Sequence, residues 1–283
     1  MYESYYGLRE KPFSIIPDPD LIYWGRAHRM AFAMLEFGVV NNAGFTVVTG
    51  EIGSGKTTLV RHLLRRINPK AINLGIISNT PQTREELLQS IMYSLGQSVD
   101  GNISSLIRSF ESYLYSEYRR GRRAILLIDE AQNMREDAIE TLRMLSNINV
   151  DKHQFLQLIL VGQPQLKELL SSPQLLQFAQ RVSSDFHLKP LGPEEVMEYI
   201  AFRLSAAGSS GVLFTSEAGR LIASASSGIP RVVNILCDTA LVYGFSLRAP
   251  QITADIVEEV IADKKSYGIF PIGQKTERVE AID

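Results

Sequence analysis

The pattern of apolar and polar residues changes character twice along the chain. Between residues 41 and 190, short apolar runs alternate with longer segments whose apolar residues recur at helical spacing. The short runs predict strands at Phe45–Thr49, Ala71–Ser78, Ala124–Ile128, Phe155–Gly162 and Val182–Leu188. The periodic segments predict helices at Leu59–Ile67, Arg84–Leu95, Ser104–Arg119 and about Glu136–Ser146. Because near-continuous apolar strands are buried on both faces, we predict a parallel α/β sheet with helices on both faces.

After Pro190 the strands stop and helices follow one another. The expected helices are Pro193–Ala206, Ser216–Ser226, Pro230–Ser246 and Ala254–Lys265. Their starts carry helix-initiating residues, Gly192-Pro193, Thr215, Pro230 and Thr253. We therefore divide the chain into an N-terminal linker and first helix (1–40), an α/β domain (41–190), a small all-α lid domain (191–265) and a flexible tail (266–283).

Composition narrows the class of protein. Hydrophobic residues make up 45% of the chain and charged residues 21%, values typical of a soluble globular protein. A single cysteine, Cys237, excludes an internal disulfide framework, and its apolar helical surroundings favour a buried structural role over catalysis. The N-terminus lacks the features of a signal peptide, and no run approaches the ~20 apolar residues of a membrane helix. These observations predict a cytoplasmic protein without a transmembrane segment.

The segment from Gly50 to Thr58 carries the strongest chemical signal. It reads Gly-Glu-Ile-Gly-Ser-Gly-Lys-Thr-Thr, the phosphate-binding loop pattern, and lies between a predicted strand and a predicted helix. Glycines allow backbone N–H groups to approach phosphate oxygens, and the helix N-terminus adds a positive dipole end. Lys56 is expected to reach the β- and γ-phosphates of ATP, and Thr57 to bind Mg²⁺. The predicted nucleotide-binding residues of this loop are Gly50, Gly53, Ser54, Gly55, Lys56, Thr57 and Thr58.

The third predicted strand ends in the acidic pair Asp129-Glu130. An apolar strand that ends this way is the Walker B arrangement, in which Asp129 holds Mg²⁺ and Glu130 orients and polarises the attacking water. The alternative is a loop in which Asp129 only caps the next helix.

Two polar residues follow other strands of the predicted sheet. Gln163 follows the fourth strand, where a side chain can contact the γ-phosphate or the water; alternatively it is a turn residue before Pro164. Asn79 ends the second strand, where it can hold Glu130 inactive; alternatively it opens the turn into Pro81.

An α/β nucleotide domain followed by a helical lid is the AAA+ layout, and the motifs make the likeness specific. Over about Met1–Lys265, the chain resembles the AAA+ ATPases of the general secretion pathway protein A (ExeA/GspA-like) family, which are similar to the TnsC/MuB transposition ATPases. Besides the loop at Gly50–Thr58, the motifs are Tyr5-Tyr6-Gly7-Leu8, Lys11-Pro12-Phe13, Pro17-Asp18-Pro19, Tyr23, His28, Leu127-Ile128-Asp129-Glu130-Ala131-Gln132, Leu160-Val161-Gly162-Gln163-Pro164, Gln180-Arg181-Val182 and Gly228-Ile229-Pro230-Arg231.

The resemblance assigns roles to further residues. Arg181 resembles an arginine finger that reaches a neighbouring subunit's site; the alternative is a surface arginine paired with Asp185. Arg231 resembles the lid arginine that contacts ATP; the alternative is a solvated side chain. Tyr23 and His28 are expected to line the adenine pocket, although His28 can equally be a packing residue.

The resemblance implies an ATPase that hydrolyses ATP at subunit interfaces and drives assembly or remodelling of a secretion, envelope or surface-polymer system. Its expected partners are copies of itself, in a nucleotide-dependent oligomer for which a hexameric ring is one arrangement, and a protein of that machine, which would hold it at the inner membrane. The alternative function is an ATP-gated DNA-binding oligomer that recruits a transposase-like partner. DNA is the less favoured partner, because net charge is −2 and the basic cluster at residues 119–123 fits a helix C-terminus.

Overall fold

The computed structural model describes residues 1–16, 18, 21–68, 70–149 and 154–268. Contacts divide the chain into two units. The sheet unit comprises residues 28–51 and 56–188, and the helical unit comprises residues 1–27, 52–55 and those from 189 onward. The segment 1–40, which the sequence analysis grouped as linker and first helix, is thus shared between the two units. Two of the N-terminal motif residues, Pro17 and Pro19, and the predicted tail from residue 269 lie outside the described residues.

The sheet unit is built on five parallel strands, which confirms the predicted α/β fold. They are β1 (Phe45–Gly50), β2 (Ile72–Ile77), β3 (Arg123–Ile128), β4 (Leu156–Gly162) and β5 (Val182–Leu188), in the order β2-β3-β4-β1-β5. Every residue of β1 and β4 is buried, as strands covered on both faces must be, whereas the edge strands β2 and β5 are partly exposed. The carboxyl ends of β1, β3 and β4 are therefore neighbours at one edge of the sheet.

Helices precede and connect these strands. They are α2 (Arg26–Val40), α3 (Lys56–Arg66), α4 (Arg84–Ser94), α5 (Ile103–Arg119), α6 (Glu136–Leu145), α7 (Gln165–Leu170) and α8 (Leu176–Ala179). Local sequence fixes several of their starts: the Thr83 hydroxyl accepts a hydrogen bond from the Glu86 N–H, and the Asn102 side chain accepts one from the Ser105 N–H. Side chains of α4, α5 and α6 pack with β1, β3 and β4 in one hydrophobic core.

The helical unit contains α1 (Tyr2–Tyr5), α9 (Pro193–Ala206), α10 (Ser216–Ser226), α11 (Pro230–Ser246) and α12 (Ala254–Tyr267). Its core includes Tyr2, Leu8 and Phe13 from the N-terminal segment. The buried Arg203 guanidinium binds that segment by donating hydrogen bonds to the carbonyl oxygens of Pro12 at 2.6 Å and Ser14 at 3.2 Å. Cys237 is buried in α11, and burial raises the pKa of its thiol, as expected for a packing residue.

Candidate active site

The glycines of the loop at Gly50–Thr58 have backbone conformations that other residues rarely adopt. β1 ends at Gly50 and α3 begins at Lys56, and between them Gly53 has φ +79° and Gly55 has φ +97°. A Cβ on Gly53 would lie 2.4 Å from Cβ of Arg231, so both the torsion and the space require glycine. Ser54 is buried, and Thr58 is half-buried in the first turn of α3.

Lys56 is a buried cation held against the loop's own backbone. Its ammonium group donates hydrogen bonds to the carbonyl oxygens of Gly50 at 2.8 Å and Glu51 at 2.9 Å. Burial lowers its pKa, and the nearby carboxylates of Glu130, Asp129 and Glu51 act in the opposite direction. An ammonium group carries three donors, so one remains for an anionic ligand.

Thr57 and Asp129 connect the loop to the end of β3. The Thr57 hydroxyl, in the first turn of α3, donates to Asp129 Oδ2 at 2.9 Å. Asp129 Oδ1 accepts the backbone N–H of Glu130 at 3.0 Å. The Asp129 carboxylate therefore contacts both the loop and the backbone N–H that follows it, and its expected role as a Mg²⁺ ligand stays a prediction.

The Glu130 carboxylate contacts two side-chain amides at the ends of β3 and β4. Its Oε2 accepts hydrogen bonds from Gln132 Nε2 at 2.7 Å and from Gln163 Nε2 at 3.3 Å. The Thr80 hydroxyl donates to the Glu130 carbonyl oxygen at 3.2 Å. Asn79, which the sequence analysis considered as the partner of Glu130, is exposed, and no described hydrogen bond joins its side chain to Glu130.

Gln132 is a site residue that the sequence analysis did not single out. It is two residues beyond Glu130 and contacts both Glu130 and Gln163. The signal that could have found it is a second amide so close to the acidic pair, in Asp129-Glu130-Ala131-Gln132.

The two arginines assigned from the resemblance are both exposed. Arg181 precedes β5, and its Nη1 donates to the Ser146 hydroxyl at 2.9 Å; no described ion pair joins it to Asp185. Arg231 lies in the first turn of α11, and its backbone N–H donates to the Gly53 carbonyl oxygen at 3.2 Å. This hydrogen bond joins the start of α11 to Gly53, which belongs to the same unit.

The two residues expected at the adenine belong to different units. Tyr23, in the helical unit, donates its hydroxyl to Glu198 and packs edge-on against Tyr199, with ring centroids 5.8 Å apart. His28, in the sheet unit, is buried in α2. An adenine-binding role for either residue stays a prediction.

Three arginines of the basic cluster have structural partners. Arg120 and Arg122 pair with the buried Glu117 carboxylate at 2.9 and 2.7 Å. Arg123 donates to the Val39 carbonyl oxygen at 2.7 Å. These contacts support the interpretation of the cluster as the charged end of α5.

The residues at the end of the sheet fit a magnesium–nucleotide complex. A hydroxyl and a carboxylate 2.9 Å apart supply the hard oxygen ligands that Mg²⁺ prefers. Phosphate oxygens need hydrogen-bond donors and positive charge. Both are supplied by the backbone N–H groups of the glycine loop, the start of α3 and the Lys56 ammonium group.

The sequence of this chain is similar to a known domain family and to a known protein. Residues 40–170 match the family described as AAA domain. General secretion pathway protein A of Aeromonas hydrophila is 38% identical over 248 residues, covering 87% of this chain and 45% of that protein. The chain thus spans about half the length of this curated relative. Among the described residues, no helix is long and apolar enough to cross a membrane.

Solved structures with the same fold include a Cdc6p and an ORC2 protein. Cdc6p from Pyrobaculum aerophilum superposes with a TM-score of 0.67 at 15% identity, covering 88% of this chain and 69% of that one. The Aeropyrum pernix ORC2 protein, solved as ADPNP and ADP complexes, gives 0.65 at 16% identity, covering 90% and 71%. The sheet order, the phosphate-binding loop, the domain match at residues 40–170 and these superpositions together show that the chain has the AAA+ fold.

Proposed function

We propose that this chain binds ATP with Mg²⁺ and hydrolyses it to ADP and phosphate. The observation that carries the proposal is the hydrogen bond from Thr57 to Asp129. It joins the phosphate-binding loop to the acidic pair at the carboxyl ends of the strands, where ligands of open parallel sheets bind.

Each residue of the loop then has a defined task. The backbone N–H groups of residues 53–58 and the N-terminus of α3 bind the phosphate oxygens, and Lys56 directs its remaining N–H donor to the β- and γ-phosphates. Thr57 and Asp129 hold the metal. When bound, Mg²⁺ would supply positive charge that offsets the negative charge developing on the phosphates.

Glu130 and Gln163 act on the water. Glu130 orients a water molecule and accepts its proton as the water oxygen bonds to the γ-phosphorus. The bond from that phosphorus to the β–γ bridging oxygen breaks, and ADP leaves with the bond's electron pair. Gln163 orients the water or a γ-phosphate oxygen from the neighbouring strand. Arg231 stabilises the phosphates from within its own chain.

We further propose that the chain works as an oligomer in a secretion or envelope machine. Arg181 is exposed and forms no described ion pair, because the nearby Glu140 carboxylate, whose pKa it helps to lower, is paired with Arg143 at 2.5 Å; this suits a side chain that acts on a neighbouring subunit's γ-phosphate. The similarity to general secretion pathway protein A supports the secretion context. The cytoplasm, where ATP is available, is the expected compartment.

The DNA-binding alternative has less support from the charges. Net charge is −2, and three arginines of the basic cluster are engaged within the protein. Retention on duplex DNA that falls steeply with added salt, together with DNA-stimulated ATPase activity, would favour the alternative over the secretion role.

Calorimetric titration with ATP and Mg²⁺ tests nucleotide binding. Lys56→Ala removes the loop's cation, so we expect ATP affinity to fall tenfold or more, that is about 1.4 kcal/mol, and phosphate release to stop. Lys70→Ala, which truncates an exposed lysine beyond α3, is the matched control and should bind like wild type. Equal ATP affinity in Lys56→Ala and wild type would overturn the site assignment.

A further inference from the structure

The Gln132 side chain forms two hydrogen bonds, and their partners follow two different strands of the sheet. Its Oε1 accepts the backbone N–H of Gln163 at 2.9 Å, at the end of β4. Its Nε2 donates to Glu130 Oε2 at 2.7 Å, at the end of β3. A backbone N–H can only donate, so it must face the amide oxygen, and this fixes the Nε2 group toward Glu130.

The end of β4 leaves room for this amide. An added Cβ on Gly162 would lie 2.8 Å from Gln132 Oε1 and 3.0 Å from Leu166 Cβ. The position before Gln163 therefore has to lack a side chain if Gln132 is to reach the strand.

The left-handed backbone conformation of Glu130 allows a tight turn directly after β3. Glu130 has φ +53°, in the left-handed region, which costs a residue other than glycine about 1 kcal/mol or more. The Asn133 N–H and the Thr80 hydroxyl both donate to its carbonyl oxygen. The turn at Ala131–Asn133 that follows places Gln132 between the two strand ends.

We propose that Gln132 is a positioning residue that couples the Glu130 carboxylate to the γ-phosphate-sensing Gln163. The role rests on the proposed ATPase function. Through one rigid amide, a displacement of the Gln163 backbone moves the donor that holds the Glu130 carboxylate. The Glu130 carboxylate is therefore oriented for proton transfer only when the Gln163 backbone is correctly positioned. Gln132 thus makes proton transfer depend on the segment after β4 that contacts the γ-phosphate.

Two substitutions separate the two ends of the amide. Gln132→Ala removes both hydrogen bonds. Gln132→Glu keeps an oxygen for the Gln163 N–H but places a carboxylate beside Glu130 in place of the donor. Gln165→Ala is the matched control, since this exposed glutamine lies just beyond Gln163 and has no described hydrogen bond.

Hydrogen exchange of the Gln163 backbone amide, measured by NMR without nucleotide, tests the coupling directly. Exchange should speed up about three- to tenfold in Gln132→Ala, because one hydrogen bond is lost, and stay near wild type in Gln132→Glu and Gln165→Ala. Unchanged exchange in Gln132→Ala overturns the coupling, whether or not the protein hydrolyses ATP.

Steady-state kinetics tests the positioning of the base. Both Gln132 variants should lose on the order of ten- to a hundredfold in kcat while the Kd for ATP changes by less than about twofold, because the base is misplaced and the phosphate contacts are not. Unchanged kcat in Gln132→Ala, or equal losses in kcat and ATP affinity, overturns the role. Absence of ATPase activity in wild type would instead refute the proposed function, and the exchange measurement would still decide the coupling.

Discussion

At the scale of single residues, local backbone geometry determines the phosphate-binding loop, whereas the pairing of two strands determines the contacts of Gln132. A glycine loop followed by Lys56 and Thr57 is determined by local backbone requirements, which a nine-residue window contains. The two hydrogen bonds of Gln132 require the left-handed backbone of Glu130 and the lack of a side chain at Gly162. These two residues come close together only because β3 and β4 pair. Asn79, by contrast, is at a favourable strand end but has no described side-chain hydrogen bond with Glu130.

Gly53 offers a test of the loop that leaves every charged group in place. Gly53→Ala introduces strain at φ +79° and a Cβ 2.4 Å from that of Arg231. We expect ATP affinity to fall tenfold or more, since the loop must change shape to relieve the overlap.

The control for this variant is Gly211→Ala, whose added Cβ meets open space. Titration with ATP should give the wild-type affinity for Gly211→Ala. Wild-type affinity in Gly53→Ala as well would show that the loop does not need the backbone conformation described here.

At the scale of elements, the helices and strands follow the predicted periods closely, whereas the partner of the N-terminal segment was not predictable. Lid helices starting at Pro193, Ser216, Pro230 and Ala254 were expected from their caps, and all four are present. The N-terminal segment carries no strong period, and its inclusion in the helical core depends on long-range contacts such as those of Arg203.

Replacement of Arg203 tests whether the N-terminal segment stabilises the helical unit. Arg203→Leu leaves the buried Pro12 carbonyl oxygen without its described donor and the Ser14 carbonyl oxygen with Asn234 Nδ2 alone, so we expect the helical unit to lose about 2–4 kcal/mol of stability. Faster hydrogen exchange in α9 and α11 at equal denaturant would report this loss.

Arg220→Leu is the comparison for that experiment. Its ion pair with Glu217 is exposed, so its loss should cost no more than about 1 kcal/mol. Equal exchange rates in the two variants would mean that Arg203 does not hold the N-terminal segment against the helices.

At the scale of the whole molecule, the proposed oligomer makes a prediction about mixed subunits. Arg181→Ala subunits keep Lys56 and Glu130 and lack only the guanidinium that the neighbour needs. Lys56→Ala subunits have an inactive site but still present Arg181. Each variant alone should be nearly inactive, because an arginine finger contributes on the order of 10³-fold in rate. In a mixture, Arg181→Ala sites beside Lys56→Ala neighbours regain every group.

ATPase activity should therefore reappear on mixing and peak near equal proportions. Light scattering with ATP and Mg²⁺ provides the control that mixed oligomers form. If they form and the mixture stays inactive, Arg181 acts within its own subunit or has a structural role.

The central claim is that this chain hydrolyses ATP with Glu130 as the base. The most direct measurement is phosphate release by wild type and Glu130→Gln at ATP concentrations that saturate both. Glutamine keeps the shape of Glu130 and loses the carboxylate, so the variant should bind ATP with wild-type affinity and release phosphate at least about a hundredfold more slowly. Equal rates in the two proteins, or no release by wild type while ATP is bound, would contradict the account.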